Sequence, residues 1–305
     1  MGIRRRDFLF SGAAAFAAAT VTAAPAAAQG AKKGKAEMPA PMGSETLPVR
    51  IGMTDWNLGQ RGVVEKVELA RKIGLDGIQV SILYPEDGSL HLRDPKLQAA
   101  YRQAALDNGV QICSLAIGDL GPGSPFKSEP MGVLRVADAI QVAANIGTND
   151  ILLPMFRERV PQDDAEFKRI INTFKELAPI AERNAVVVGL ETSMSAEEHL
   201  RILDAVASPW IGVYLDPWNC SYYGHDPIHD IPLMKDYIHQ VHVKNGKALM
   251  SGPNERGFAW PDIAELLYKI GYKNWYVLET DTPNNDLTED TRLNIEYVRK
   301  NFKIA

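Results

Sequence analysis

Between Arg50 and Phe302 the chain alternates between two kinds of segment. Eight short β-rich runs occur, at Arg50–Met53, Gly77–Ser81, Gln111–Ala116, Asp150–Pro154, Val186–Glu191, Gly212–Asp216, Gln240–Lys244 and Trp275–Glu279. Most are continuous apolar runs, the pattern of parallel strands covered on both faces. Parallel neighbours need long crossovers, and helical periods fill the gaps. Val63, Val67, Ala70 and Ile73 recur at helical steps before Gly74, and Ile263, Leu266, Leu267 and Ile270 before Gly271. Phe167–Ala185 and Ala196–Ala207 are amphipathic in the same way. The pairs Ile73-Gly74, Ile146-Gly147 and Ile270-Gly271 supply helix stops. No proline-rich linker splits residues 50–305, which therefore read as one domain. Eight strand–helix units favour a closed (β/α)8 barrel. An open doubly wound sheet is the alternative, but it would bring a G-x-G-x-x-G turn after an early strand, and none is present.

The length of 305 residues would by itself suggest two domains at about 150 residues each. The first 48 residues resolve the conflict. Residues 1–28 read as a secretory signal: a basic start at Arg4, Arg5 and Arg6, a mildly apolar stretch from Phe8 to Val21, and small residues Ala26-Ala27-Ala28 before Gln29. The string R-R-D-F-L at Arg5–Leu9 looks like a twin-arginine export address. An uncleaved anchor is the competing reading, but the segment is mostly Ala, which partitions weakly into lipid, with Pro25 near its end. Residues 29–48, rich in Lys, Pro and small side chains, read as a flexible tether. The expectation is a periplasmic or otherwise exported (β/α)8 (TIM) barrel over 49–305, with no stable membrane insertion after cleavage.

Composition narrows the function. At 46% apolar and 23% charged residues the chain is not mainly disordered or fibrous. Its net charge is −5, and loss of three Arg and one Asp with the signal takes it to −7, so no basic field favours nucleic acid. Cys113 and Cys220 are expected to be unpaired. A homo-oligomer is left open.

Active sites of such barrels lie at the carboxyl ends of the strands, and the last four strands end alike. They run VVVGLE to Glu191, IGVYLD to Asp216, QVH to His242 and WYVLE to Glu279, at separations of 25, 26 and 37 residues. Any one of these could be ordinary: Asp216 a helix cap, His242 a satisfied core histidine. Four on consecutive strands point instead to one divalent cation, which relieves the repulsion of three carboxylates. Oxygen and nitrogen donors suit Mn²⁺ first, with Mg²⁺, Co²⁺ or Zn²⁺ as alternatives.

At these residues the chain resembles the xylose isomerase-like TIM barrels, in particular the sugar isomerase/epimerase group with ketose 3-epimerases and inosose dehydratase. H242-V-K-N resembles that group's H-V-K-D, and G271-Y-K-N-W-Y-V-L-E279 its last strand. The resemblance implies that Glu191, Asp216, His242 and Glu279 bind one metal, with Glu191 and Glu279 also exchanging a proton with a carbohydrate. It further marks Glu197 near a substrate hydroxyl, although a first-turn acid that complements the helix dipole accounts for it equally. Two positions depart from the group. Asn219 stands where a His is common, and Ala248 where an Arg is common, with Lys244 and Lys247 nearby.

Further candidates for substrate contact are Trp56 and Trp218, as sugar platforms or as core caps, His225 on the loop after strand six, and Lys244. The last lies two residues after His242 and so on the same side of its strand. The expected activity is an exported metal-dependent isomerase or epimerase acting beside the carbonyl of a non-phosphorylated sugar or keto-sugar. A lyase or dehydratase at the same site, and a non-catalytic sugar-binding barrel, are the alternatives. His91, His199, His229 and His239 carry no pattern that assigns them a role.

Overall fold

In a computed structural model, which describes residues 49–84, 91–118 and 126–304, strands and helices alternate as the periodicity predicts. The first half runs β1 (Ile51–Thr54), α1 (Lys66–Ile73), β2 (Gly77–Ile82), α2 (Pro95–Asn108), β3 (Gln111–Ile117), α3 (Pro130–Ile146), β4 (Asp150–Met155) and α4 (Asp164–Asn184). The second runs β5 (Val187–Thr192), α5 (Ala196–Val206), β6 (Ile211–Leu215), α6 (Pro217–Tyr222), α7 (Pro227–Leu233), β7 (Ile238–Val243), α8 (Trp260–Lys269), β8 (Tyr276–Leu278) and α9 (Leu287–Asn301). The proposed signal (1–28) and tether (29–48) lie outside the described residues.

The eight strands pair in order, all parallel, and β8 closes on β1 through Gly52↔Val277. Alternation within each strand builds two layers. Met53, Ile78, Val80, Ile151, Leu153, Val188, Leu190, Val241 and Val243 face outward and are buried under the helices. Both faces are therefore covered, which is why the strands read as unbroken apolar runs. Inside the barrel Cys113, Ala116, Leu152, Tyr214, Trp275 and Val277 form a second, smaller cluster.

Trp275 fills the lower interior and is 2% exposed. Two glycines make room for the interior packing. A β-carbon on Gly77 would lie 2.7 Å from the Trp275 ring, and one on Gly52 would lie 2.8 Å from Cys113 Sγ. The predicted stops at Gly74 and Gly147 cap α1 and α3 in the left-handed conformation, with φ of 105° and 93°, where glycine carries no steric penalty. Both cysteines are free.

Candidate metal centre

Each strand delivers its terminal polar residue to the same point. Glu191 comes from the end of β5, and His242 from β7, whose register places it opposite Val277 of β8. Asp216 follows β6 directly and Glu279 follows β8, its N–H donating to the Val243 carbonyl of β7. Their ligand atoms all lie within 4.8 Å of one another. His242 Nδ1 is 3.3 Å from Glu191, 3.5 Å from Glu279 and 3.9 Å from Asp216.

Second partners fix these side chains. Asp216 fulfils two roles at once. Its Oδ1 accepts from the Asn219 N–H at 2.9 Å and so caps α6, as a lone-residue reading would have it. Its Oδ2 is buried, lacks a well-aligned hydrogen bond, and faces the cluster with Lys244 Nζ 2.7 Å away. The same ammonium donates to Glu279 Oε2 at 2.7 Å, and the Trp56 indole N–H donates to Glu279 Oε1 at 3.2 Å. The Asn219 amide donates to Glu191 Oε1 at 2.9 Å.

His242 is held from behind. Its Nε2 lies 3.0 Å from Gln79 Oε1, while the Gln79 amide nitrogen donates to Ser114 Oγ and Tyr214 Oη, each at 2.9 Å. With the Gln79 nitrogen on those two hydroxyls, its oxygen faces Nε2, and Nδ1 faces the three carboxylates. Metal-ligating histidines are oriented in this manner by a second partner. Three carboxylates and an imidazole with a committed distal nitrogen fit one hard or borderline divalent ion.

The charges are strongly coupled. Burial pushes the Glu191 carboxyl above its ordinary range. Burial works in the same direction on Glu279, but His242, Lys244 and the Trp56 N–H outweigh it and hold Glu279 below that range. Burial would lower His242, yet the carboxylates of Glu191 and Glu279 raise it. Lys244 is held firmly cationic by Asp216 and Glu279, against the effect of its burial.

Of the remaining sequence candidates, Trp56, Asn219 and Lys244 touch the cluster, and Trp218 borders it, its ring centroid 5.6 Å from Lys244 Nζ. Glu197 does not join it. This side chain is exposed in the first turn of α5, where hydrogen bonds at the helix start hold its pKa down, in keeping with the first-turn reading. His225 binds the Ser193 carbonyl at 3.1 Å and ties two mouth loops together.

Histidines without a sequence pattern have structural partners. His91 Nδ1 accepts from Leu83 N–H, His199 bridges Thr192 and Ser195, His229 meets Asp230, and His239 pairs with Asp150. Sequence reasoning missed Gln79 and Tyr214. Their one visible signal was a polar atom in an otherwise apolar strand, at the position whose alternation faces the barrel interior.

The chain has relatives in sequence and in fold. The chain is 28% identical over 205 residues to 2-epi-5-epi-valiolone 7-phosphate 2-epimerase of an Actinoplanes species, covering 66% of this chain and 74% of that one. It is 25% identical over 234 residues to L-ribulose-5-phosphate 3-epimerase UlaE of Escherichia coli, covering 71% and 81%. Among solved structures, D-psicose 3-epimerase from Clostridium cellulolyticum H10 superposes with a TM-score of 0.68 at 16% identity, over 84% of this chain and 100% of that one. The 3-keto-D-glucoside 4-epimerase YcjR of E. coli gives 0.67 at 15% identity, over 83% and 99%. These homologues are sugar epimerases, and residues 67–301 match the family model of the xylose isomerase-like TIM barrel; the chain belongs to that family.

Proposed function

We propose that this protein is a divalent-metal-dependent sugar isomerase or epimerase that moves a proton beside the carbonyl of a non-phosphorylated sugar or keto-sugar. The observation that carries this reading is the convergence of Glu191, Asp216, His242 and Glu279, with ligand atoms within 4.8 Å, at the carboxyl ends of four consecutive strands. These four side chains would hold the ion. When bound, it supplies Lewis-acid stabilisation of negative charge on a substrate oxygen.

The chain's own residues then account for the proton. Glu191 stands on β5 and Glu279 directly follows β8, with β6 and β7 between them, so they reach the mouth from different sides. One takes a proton from the carbon beside the carbonyl and the other returns one, as positioned carboxylates can. The Trp56 N–H and Lys244 orient Glu279, and the Asn219 amide orients Glu191. Lys244, 2.7 Å from Asp216 and Glu279, would offset charge that develops beside them.

Support for a free sugar comes from the export address at Arg5–Leu9, since phosphorylated metabolites are scarce outside the cytoplasm. The two relatives named above carry phosphosugar names, so a phosphorylated substrate is the outcome to test against. Free ketohexoses, 3-keto-sugars and their phosphates would be incubated in heavy water with Mn²⁺. Deuterium uptake by the free sugar is expected. Chelation should abolish it, and Glu279→Gln should slow it by about 10²- to 10⁴-fold. Uptake indifferent to a chelator would overturn the metal requirement, and uptake confined to phosphates would overturn the free-sugar reading. Product mass separates epimerisation (unchanged) from elimination (reduced).

A further inference from the structure

Trp56 reaches the cluster from a loop that its two neighbours in sequence hold shut. Asp55, directly before it, is 1% exposed. Its Oδ2 accepts from the Gly62 N–H at 2.7 Å and from the Ser81 N–H at 2.9 Å, and its Oδ1 from the Ser81 hydroxyl at 2.6 Å. One carboxylate thus closes residues 55–62 into a loop and pins that loop to β2. The Asp55 N–H adds a further tie to β2, donating to the Gln79 carbonyl at 2.9 Å. Asn57, directly after Trp56, fastens the loop on its other side. Its amide donates to the Thr280 carbonyl at 2.9 Å, and its Oδ1 accepts from the Thr54 hydroxyl at 2.7 Å.

The chemistry of Asp55 is that of a clamp. A carboxylate buried this deeply is costly unless it is hydrogen-bonded, and three donors from the loop and from β2 meet that need. The residue between the two ties is the one that bonds to the cluster. The Trp56 indole N–H donates to Glu279 Oε1 at 3.2 Å, and its ring stands edge-on to His242, the centroids 6.3 Å apart. Arg61, next to the clamped Gly62, lies over the Trp56 ring at 4.9 Å. Thr280 directly follows Glu279, so Asn57 ties the loop to the same stretch of backbone that carries the acceptor. Donor and acceptor of the Trp56–Glu279 bond are therefore held in one frame.

We propose that Asp55 and Asn57 are positioning residues for Glu279 and act through Trp56: they keep the indole N–H on Oε1 and so set the direction in which the carboxylate faces the substrate. This rests on the proposed function, which makes Glu279 one of the two proton carriers.

Two measurements test this. The first is deuterium uptake, with Mn²⁺, by the sugar that the wild type exchanges. Asp55→Asn and Trp56→Phe should each lower kcat by about 10- to 100-fold with KM little changed, and the double variant should be no slower than Trp56→Phe alone. Losses that multiply, or a loss confined to KM, would overturn the proposal. The second needs no substrate and follows the indole N–H signals of nitrogen-15-labelled protein by NMR. In Asp55→Asn the Trp56 signal should shift and exchange with solvent about tenfold faster, while those of Trp210, Trp218, Trp260 and Trp275 stay in place. A Trp56 signal that does not move, or five signals that move together, would contradict the clamp. If Asp55→Asn does not fold, Asn57→Ala is read by the same two measurements, with the same expected results. If the wild type exchanges no sugar, the proposed function fails, and the indole signals still decide whether the clamp holds Trp56.

Discussion

Gln79 on β2 and His242 on β7 are 163 residues apart in sequence, yet Gln79 Oε1 lies 3.0 Å from His242 Nε2. The contact decides which imidazole nitrogen faces the carboxylates. Gln79→Leu removes the acceptor and lets the ring turn, while the four proposed ligands stay intact. Mn²⁺ affinity should fall by about 10- to 100-fold, measured by calorimetry, with Gln79→Glu retaining more affinity than Gln79→Leu. Equal affinities in all three proteins would remove Gln79 from any positioning role.

Lys244 supplies the positive charge that Asp216 and Glu279 meet without an added ion, at 2.7 Å from each. Lys244→Met leaves those carboxylates buried without it, a change that typically costs about 3–5 kcal/mol. The variant should melt lower than wild type in chelator and recover most of the deficit on adding Mn²⁺. A deficit of the same size with and without Mn²⁺ would show that the ammonium and the ion do not share a role.

His199 gives the pH dependence. It is buried, and burial holds its pKa below the ordinary imidazole value against the hydrogen bond to Ser195. The unfolded chain takes up this proton near about pH 6.5, whereas the folded chain resists it until lower pH. The stability linked to His199 is therefore fully present above about pH 6.5 and is lost as pH falls from there towards the depressed folded value. Urea unfolding of His199→Gln should show a shallower loss of stability across that acid window than wild type. An identical slope in both would contradict the assignment.

Gly77→Ala tests the lower barrel. The added methyl would sit 2.7 Å from the Trp275 ring, so Trp275 or β2 must shift. Overpacking of this kind costs about 1–3 kcal/mol, visible as a lower denaturant midpoint. Replacing Trp275 by Phe in the same chain should return part of the loss.

The strands were legible because both faces are covered, and an apolar run ending in Glu, Asp or His announces itself. The Glu191, Asp216, His242 and Glu279 cluster was legible for the same reason: its residues break an apolar pattern at a place where the fold puts chemistry. Asp216 looked like either a cap or a ligand; in the structure Oδ1 caps α6, while Oδ2 faces the cluster and meets Lys244. Glu197 was harder, since its spacing from Glu191 fits a substrate contact, yet the capping box of Ser195 and Glu198 fixes the start of α5 and leaves Glu197 exposed. Gln79 was not legible. Its partners Ser114, Tyr214 and His242 come from three other strands, and only barrel closure brings them together. The stacking of Phe156 on Tyr223 is hidden similarly, because β5 separates the strands they follow.

Trp275 occupies the floor of the barrel beneath the cluster, with Gly52 and Gly77 cut back to admit the packing. Among the described residues this makes the barrel a well with its opening at the top. On the proposed function, ion and sugar would share one doorway, and a sugar above the cluster would cover the seat of the ion, so the expected order of arrival is ion first and sugar second.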